Sequence, residues 1–68
     1  MTPNEATKNA VVVAGGNKKV AEFFDCKPKT ITCWIRTQVP LERVKELCEL
    51  SGNYIKPHQI RPDFFEPQ

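Results

Sequence analysis

Sixty-eight residues, 40% of them hydrophobic, with a net charge of +2 make one small globular domain with a thin core rather than a disordered chain. A catalytic cleft needs walls that so small a core rarely supplies, and the chain is expected not to be an enzyme. The longest apolar run, AVVVA at 10–14, is too short to span a bilayer and precedes no secretory cleavage pattern, so a cytoplasmic protein with no membrane contact is expected.

The chain opens with Thr2 as a helix N-cap, Pro3 at the first helical position and Glu5 three after the cap. That is the pattern of a capping box, and it predicts a helix from residue 3. Gly15 and Gly16 end this helix, whose inward face is read as Ala6, Ala10, Val13 and Ala14. Asn17 can cap a second helix over 18–24, in which Val20, Ala21 and Phe24 share one face. Asp25, Cys26 and Lys27 interrupt the pattern. Pro28 suits the first turn of a third helix, with Ile31, Trp34 and Ile35 turned inward. A fourth helix runs on from Pro40, with Leu41, Val44, Leu47, Cys48 and Ser51 along one side, and stops at Gly52 and Asn53. The tail from about 53 to 68 contains Pro57 and Pro62, which oppose helix, and Tyr54, Ile55, Ile60, Phe64 and Phe65, which are too apolar for a linker. It is expected to fold back on the helices as an irregular or strand-like segment, with only the last few residues loose.

Charge is unevenly spread. Residues 17–36 carry Lys18, Lys19, Lys27, Lys29 and Arg36 against Glu22 and Asp25, a local +3. Three cysteines, Cys26, Cys33 and Cys48, are an odd number without paired spacing, which argues against a disulfide framework. A zinc site would need His58 as its fourth ligand and a closer cysteine spacing, so neither a metal nor another cofactor is expected. A nucleophile–base pair of Cys33 or Cys48 with His58 has no orienting group or oxyanion site in the sequence.

Two short helices joined by a three- to four-residue turn, in NKKVAEFFDCKPKTITCWI, form the pattern of a helix-turn-helix with its core at about 17–36. Ala21 falls where the two helices cross closely, and Phe24, Ile31 and Trp34 are the apolar posts that set their angle. The chain resembles phage Cro-like repressors and YdaS-type antitoxin-like regulators of prophages. The likeness runs from AGGNKKVAEFF through TITCW and QVPLERVKELCELSG to HQIRPDFF. The Arg-Pro-Asp-x-Phe string at its end is the most specific part.

The resemblance implies a mainly α fold of four to five short helices, lambda-repressor-like or Cro-like, as a single domain over 1–68. It implies a sequence-specific repressor of phage or prophage origin that binds double-stranded DNA in the bacterial host cytoplasm. The recognition helix, about 28–36, would enter the major groove. The residues expected to face DNA are Asn17, Lys18, Lys19, Lys27, Lys29, Thr30, Thr32, Cys33 and Arg36. Lys29 and Arg36 can donate to guanine, Arg36 also to a phosphate, and Thr32 and Cys33 can pack on a thymine methyl or read a base edge. Asn17, Lys18, Lys19, Lys27 and Thr30 are expected on the sugar-phosphate backbone. Two departures from the pattern stand out. Asp25 occupies the turn position that usually carries glycine, and Pro28 stands where a polar contact residue is common. A homodimer on a palindromic operator, joined through the fourth helix or the tail, completes the expectation, with no small-molecule ligand. The alternative is a YdaS-type antitoxin acting mainly through a protein partner.

Overall fold

A computed structural model describes residues 2–65. Five helices follow one another: α1 (Pro3–Ala14), α2 (Asn17–Phe23), α3 (Pro28–Arg36), α4 (Leu41–Leu50) and the single turn α5 (Pro57–Ile60). Helix α1 lies at the centre and packs against each of the other four, while α2 and α3 pack tightly on each other.

The helix ends follow from the residues found there. Thr2 is extended, and its hydroxyl accepts from the Glu5 backbone N–H at 3.2 Å, which satisfies one of the unpaired donors of the first turn. Three helices then close with the same pair of backbone bonds. Gly16 N–H reaches Val11 O and Gly15 N–H reaches Val12 O; Cys26 reaches Ala21 O and Asp25 reaches Glu22 O; Asn53 reaches Cys48 O and Gly52 reaches Glu49 O. This double closure requires a left-handed residue at its pivot. The pivots are Gly15 at φ 119°, Gly52 at φ 68° and, in the helix-turn-helix turn, Asp25 at φ 56°. Asp25 therefore adopts the positive φ that its position demands, at the steric cost of a Cβ. Cys26, one residue on, packs half-buried against the core, where this motif favours an apolar side chain.

The core joins Ala6, Ala10 and Val11 of α1 to Val20, Ala21 and Phe24, to Ile31 of α3, to Val44, Leu47 and Cys48 of α4, and to Val39, Ile55 and Ile60 of the connections and tail. Each large aliphatic side chain buried here contributes about 1.5–3 kcal/mol. Ile31 is the one fully buried residue of α3, so it fastens that helix to the rest.

Several expectations are corrected. Val11, fully buried, faces the core, whereas Val13 is 49% exposed; the three consecutive valines are equally apolar, and the packing partners of α1 choose between them. Asn17 is the first residue of α2 rather than its cap, a place taken by Gly16. Leu41, Tyr54 and Phe64 lie outside the core, exposed by 39%, 71% and 62%. The tail does fold back, through Ile55, Ile60 and Phe65, but it forms a helical turn, and no strand occurs among the described residues. Pro57 starts that turn instead of breaking it, because the first helical position needs no N–H. Gln59 Oε1 accepts from Lys56 N–H at 2.8 Å and closes its start. The loose end expected for the last few residues falls outside the described part.

Two long-range bonds hold the last turn of α3 and the connection that follows it. Asn4 Nδ2 donates to Ile35 O at 2.6 Å, and Arg61 Nη1 donates to Val39 O at 2.9 Å. Arg61 is itself held by Asp63, with Nε to Oδ1 at 3.1 Å and Nη2 to Oδ2 at 2.9 Å. The Arg-Pro-Asp string is thus a clamp: the carboxylate aims the guanidinium, and the guanidinium ties the tail to the α3–α4 connection.

Candidate nucleic-acid interface

Helix α3 is strongly two-sided. Ile31 is buried, and Trp34 and Ile35 pack against the core from its flanks. The Trp34 ring meets Phe24 edge-on, with centroids 5.3 Å apart, so the indole sets the angle between α2 and α3 and belongs to the scaffold. Arg43 of α4 lies over the other partner in this contact, 5.5 Å from the Phe24 centroid.

The opposite face of α3 is open. Lys29, Thr32, Cys33, Arg36 and Thr37 line one shallow depression of about 540 Å³. Their spacing of three and four residues places them in one row along the helix. No carboxylate lines it, and the ion pairs among the described residues, Arg43–Glu46 and Arg61–Asp63, leave Lys29 and Arg36 without an acidic partner. Two cations therefore flank a centre of small side chains.

The hydroxyls of that centre are engaged within the protein. Thr32 Oγ1 accepts from Asn17 Nδ2 at 2.8 Å and donates to Pro28 O at 3.3 Å. Thr37 Oγ1 donates to Cys33 O at 2.7 Å and lies 3.9 Å from Cys33 Sγ. The Asn17–Thr32 bond ties the first residue of α2 to the middle of α3, a role that replaces the cap expected for Asn17.

Four of the nine residues singled out in the sequence, Lys29, Thr32, Cys33 and Arg36, thus share the depression. Asn17 reaches it through Thr32. Lys27 sits exposed at the N-cap of α3, and Thr30 is half-buried, a quarter-turn from Lys29. Lys18 and Lys19 are exposed in the first turn of α2, which no side chain caps. The Lys19 stem runs so close over the preceding turn that a Cβ on Gly15 would lie 2.7 Å from its Cδ. Thr37 was missed because the helix pattern ends at Arg36; its place four residues after Cys33 was the available signal.

The cysteines divide by environment: Cys33 exposed, Cys26 half-buried, Cys48 buried, all with free thiols. Burial pushes the Cys48 thiol up to about 11, with Lys56 acting against that shift and Glu49 adding to it, so Cys48 stays protonated and packs as a small hydrophobe. No group of three or more metal-ligating side chains occurs among the described residues, and none of their helices is long and apolar enough to cross a membrane.

A family model described as "Bacterial toxin YdaS" matches residues 7–68, which include the α2–α3 pair, the open face of α3 and the tail clamp. No curated protein and no solved structure matches the chain.

Proposed function

The chain belongs to the YdaS family, and on that premise we propose that it is a sequence-specific double-stranded-DNA-binding repressor of phage or prophage origin. The observation that carries the reading is the exposed row on α3, where Lys29 and Arg36 flank small side chains with no carboxylate among them. A face that only needed solvation would gain from mixed charge. A face that meets a phosphate-lined groove favours cations at its edges and donors aimed at base edges.

Helix α3 enters the major groove in this proposal, with Lys29 and Arg36 on base edges or phosphates and Lys27, Thr30, Lys18 and Lys19 along the backbone. Repression is steric, through occupation of promoter DNA. One groove contact per copy binds weakly, so two copies act on a palindromic operator with half-sites about one helical turn apart. The apolar side chains left outside the core, Leu41 at the start of α4 and Tyr54 and Phe64 in the tail, are where a second copy finds surface to cover. Sedimentation with and without operator DNA tests the pairing, and a single copy on a single half-site would overturn it.

Titration of labelled duplexes over a range of salt tests the whole reading. Lys29→Ala and Arg36→Ala each weaken specific binding by about 1–3 kcal/mol. Lys18→Ala weakens binding to every sequence alike and lowers the salt slope by about one unit. Parent-like curves for all three would refute the assignment.

The family's description as a toxin supports a second reading, in which the protein, toxin-like or antitoxin-like, acts through a protein partner. Retention on a DNA column, set against pulldown from host lysate with the Lys29→Ala/Arg36→Ala variant, separates them. Only partner capture that survives loss of both cations favours the second.

A further inference from the structure

We propose that the centre of the α3 face reads the 5-methyl group of a thymine, through Thr32 and the neighbouring Cys33, and that hydrogen bonds to base edges are confined to Lys29 and Arg36 at its two ends. The inference rests on the DNA-binding reading and names what the site selects.

A threonine hydroxyl has one proton to give and two lone pairs. On Thr32 the proton is turned along the helix to Pro28 O, and Asn17 Nδ2 occupies a lone pair at 2.8 Å. The hydroxyl is therefore held between α2 and the preceding turn of α3 with its one proton committed, so Thr32 can donate nothing to a base edge, and its methyl is the apolar group beside that fixed hydroxyl. Thr37 repeats the arrangement, its proton given to Cys33 O. With that proton committed, the 3.9 Å contact between Cys33 Sγ and Thr37 Oγ1 has the thiol as its donor. The middle of the row thus offers a methyl and a soft sulfur, and no free hydroxyl proton.

Within the major groove only thymine presents an apolar group at the base edge. The charged ends behave differently. Lys29 and Arg36 stand two turns apart, about 10 Å along the helix, close to three base steps of about 3.4 Å. Guanine O6 and N7 are the acceptors that suit a lysine or arginine donor. The half-site expected is one with a required thymine methyl between positions at which guanine is favoured.

The test starts from duplexes selected by the unmodified protein out of a random pool. In the selected operator each thymine is replaced singly by deoxyuridine, which removes the methyl and nothing else. One thymine per half-site should respond, with affinity falling about fourfold, the worth of one buried methyl. Thr32→Val, which keeps the methyl but loses the hydroxyl and with it the Asn17 bond, should keep the response to deoxyuridine at that position whatever the change in overall affinity. Thr32→Ser, which does the reverse, should bind about fourfold more weakly and no longer distinguish thymine from deoxyuridine at that position. Thermal unfolding of both variants confirms that the fold is kept. A flat deoxyuridine scan on a selectively bound operator overturns the inference alone. So does a folded Thr32→Val protein that no longer distinguishes thymine from deoxyuridine where Asn17→Ala, which breaks the same bond, still does; the hydroxyl would then be reading a base. Failure to select any sequence would remove the DNA-binding reading and this inference with it.

Discussion

Arg36 and Arg61 are the same side chain put to opposite uses. Arg61 is held by Asp63 through two hydrogen bonds and spends a third on Val39 O, so the tail clamp satisfies its charge on the spot. Arg36 ends α3 in an open row with no acidic partner among the described residues. A guanidinium with its donors satisfied is a structural tie; one left without a carboxylate retains its charge and its fork for something else. The difference separates the region that keeps the fold from the region that is available to a ligand. It also places the boundary at residues 35–39, where Asn4 and Arg61 grip the backbone on either side of the exit from α3.

The largest effect is expected where both regions depend on one residue. Ile31→Ala removes the only fully buried side chain of α3 and opens a cavity beneath the open face. Stability falls by about 2–5 kcal/mol, read from the midpoint of urea unfolding, and DNA binding falls with it. Arg36→Ala, on the same helix, should leave that midpoint within about 0.5 kcal/mol of the parent, as exposed substitutions do. A folded Ile31→Ala protein with parent-like stability would mean that α3 is held by something other than its core contact.

Arg61→Met tests the clamp itself. It removes the bonds to Val39 O and Asp63 while keeping an apolar stem, so the unfolding midpoint drops by less than for Ile31→Ala, and the charge of the α3 face is untouched. Acid should act at the same place. The hydrogen bond from Arg61 holds the Asp63 carboxyl below the usual carboxylate range, with the nearby positive charge helping and desolvation opposing. A depressed folded value means that the unfolded chain binds the proton first. The clamp's contribution is therefore present above the ordinary value of about 3.9 and is lost as pH falls below it. The same hydrogen bond raises Arg61 further above its already high value, so nothing is lost on the alkaline side within a practical range. In Arg61→Met the additional acid sensitivity below about pH 4 should disappear.

The two regions were not equally legible in the sequence. The helix ends could be read because each rests on local chemistry: Thr2 and Pro3 at a start, glycine or aspartate at a left-handed pivot. The row of Lys29, Thr32, Cys33 and Arg36 could be named because the helix-turn-helix resemblance carries its contact positions onto them, and a period of 3.6 agrees with their sharing one face. What escaped is what depends on distant backbone. Arg61 bonds a carbonyl 22 residues away and Asn4 one 31 residues away, and a carbonyl leaves no mark in the sequence. The choice of Val11 over Val13 depends on where α1 meets its neighbours. Asn17 was read as a cap because its type favours one, whereas contact with Thr32 across the turn gives the amide another partner. Pro57 was read as a breaker because its position within a helix, not its presence, decides its effect.

Asp25 gives the smallest effect and the most direct test of how far the two regions are separate. It is the pivot of the turn between α2 and α3, with φ 56° where the equivalent pivots of α1 and α4 are glycines. An aspartate in this conformation carries a steric cost that glycine lacks, partly returned because its β-carbon restricts the unfolded chain. Relief of a steric cost of about 1–2 kcal/mol, less an entropic return of about 0.4–1 kcal/mol, should let Asp25→Gly stabilise the protein by about 0.5–1 kcal/mol, a rise of about 2–8 °C in Tm for a domain of this size. The backbone bonds from Asp25 to Glu22 and from Cys26 to Ala21 do not involve the side chain, so the angle between α2 and α3 is kept. The substitution also removes one of the two carboxylates within residues 17–36, so non-specific DNA affinity should rise slightly while sequence preference stays the same. A fall in Tm would show that the Asp25 carboxylate supports the turn. A changed sequence preference at raised stability would show that turn strain reaches the reading face, and the two regions would then have to be treated as one.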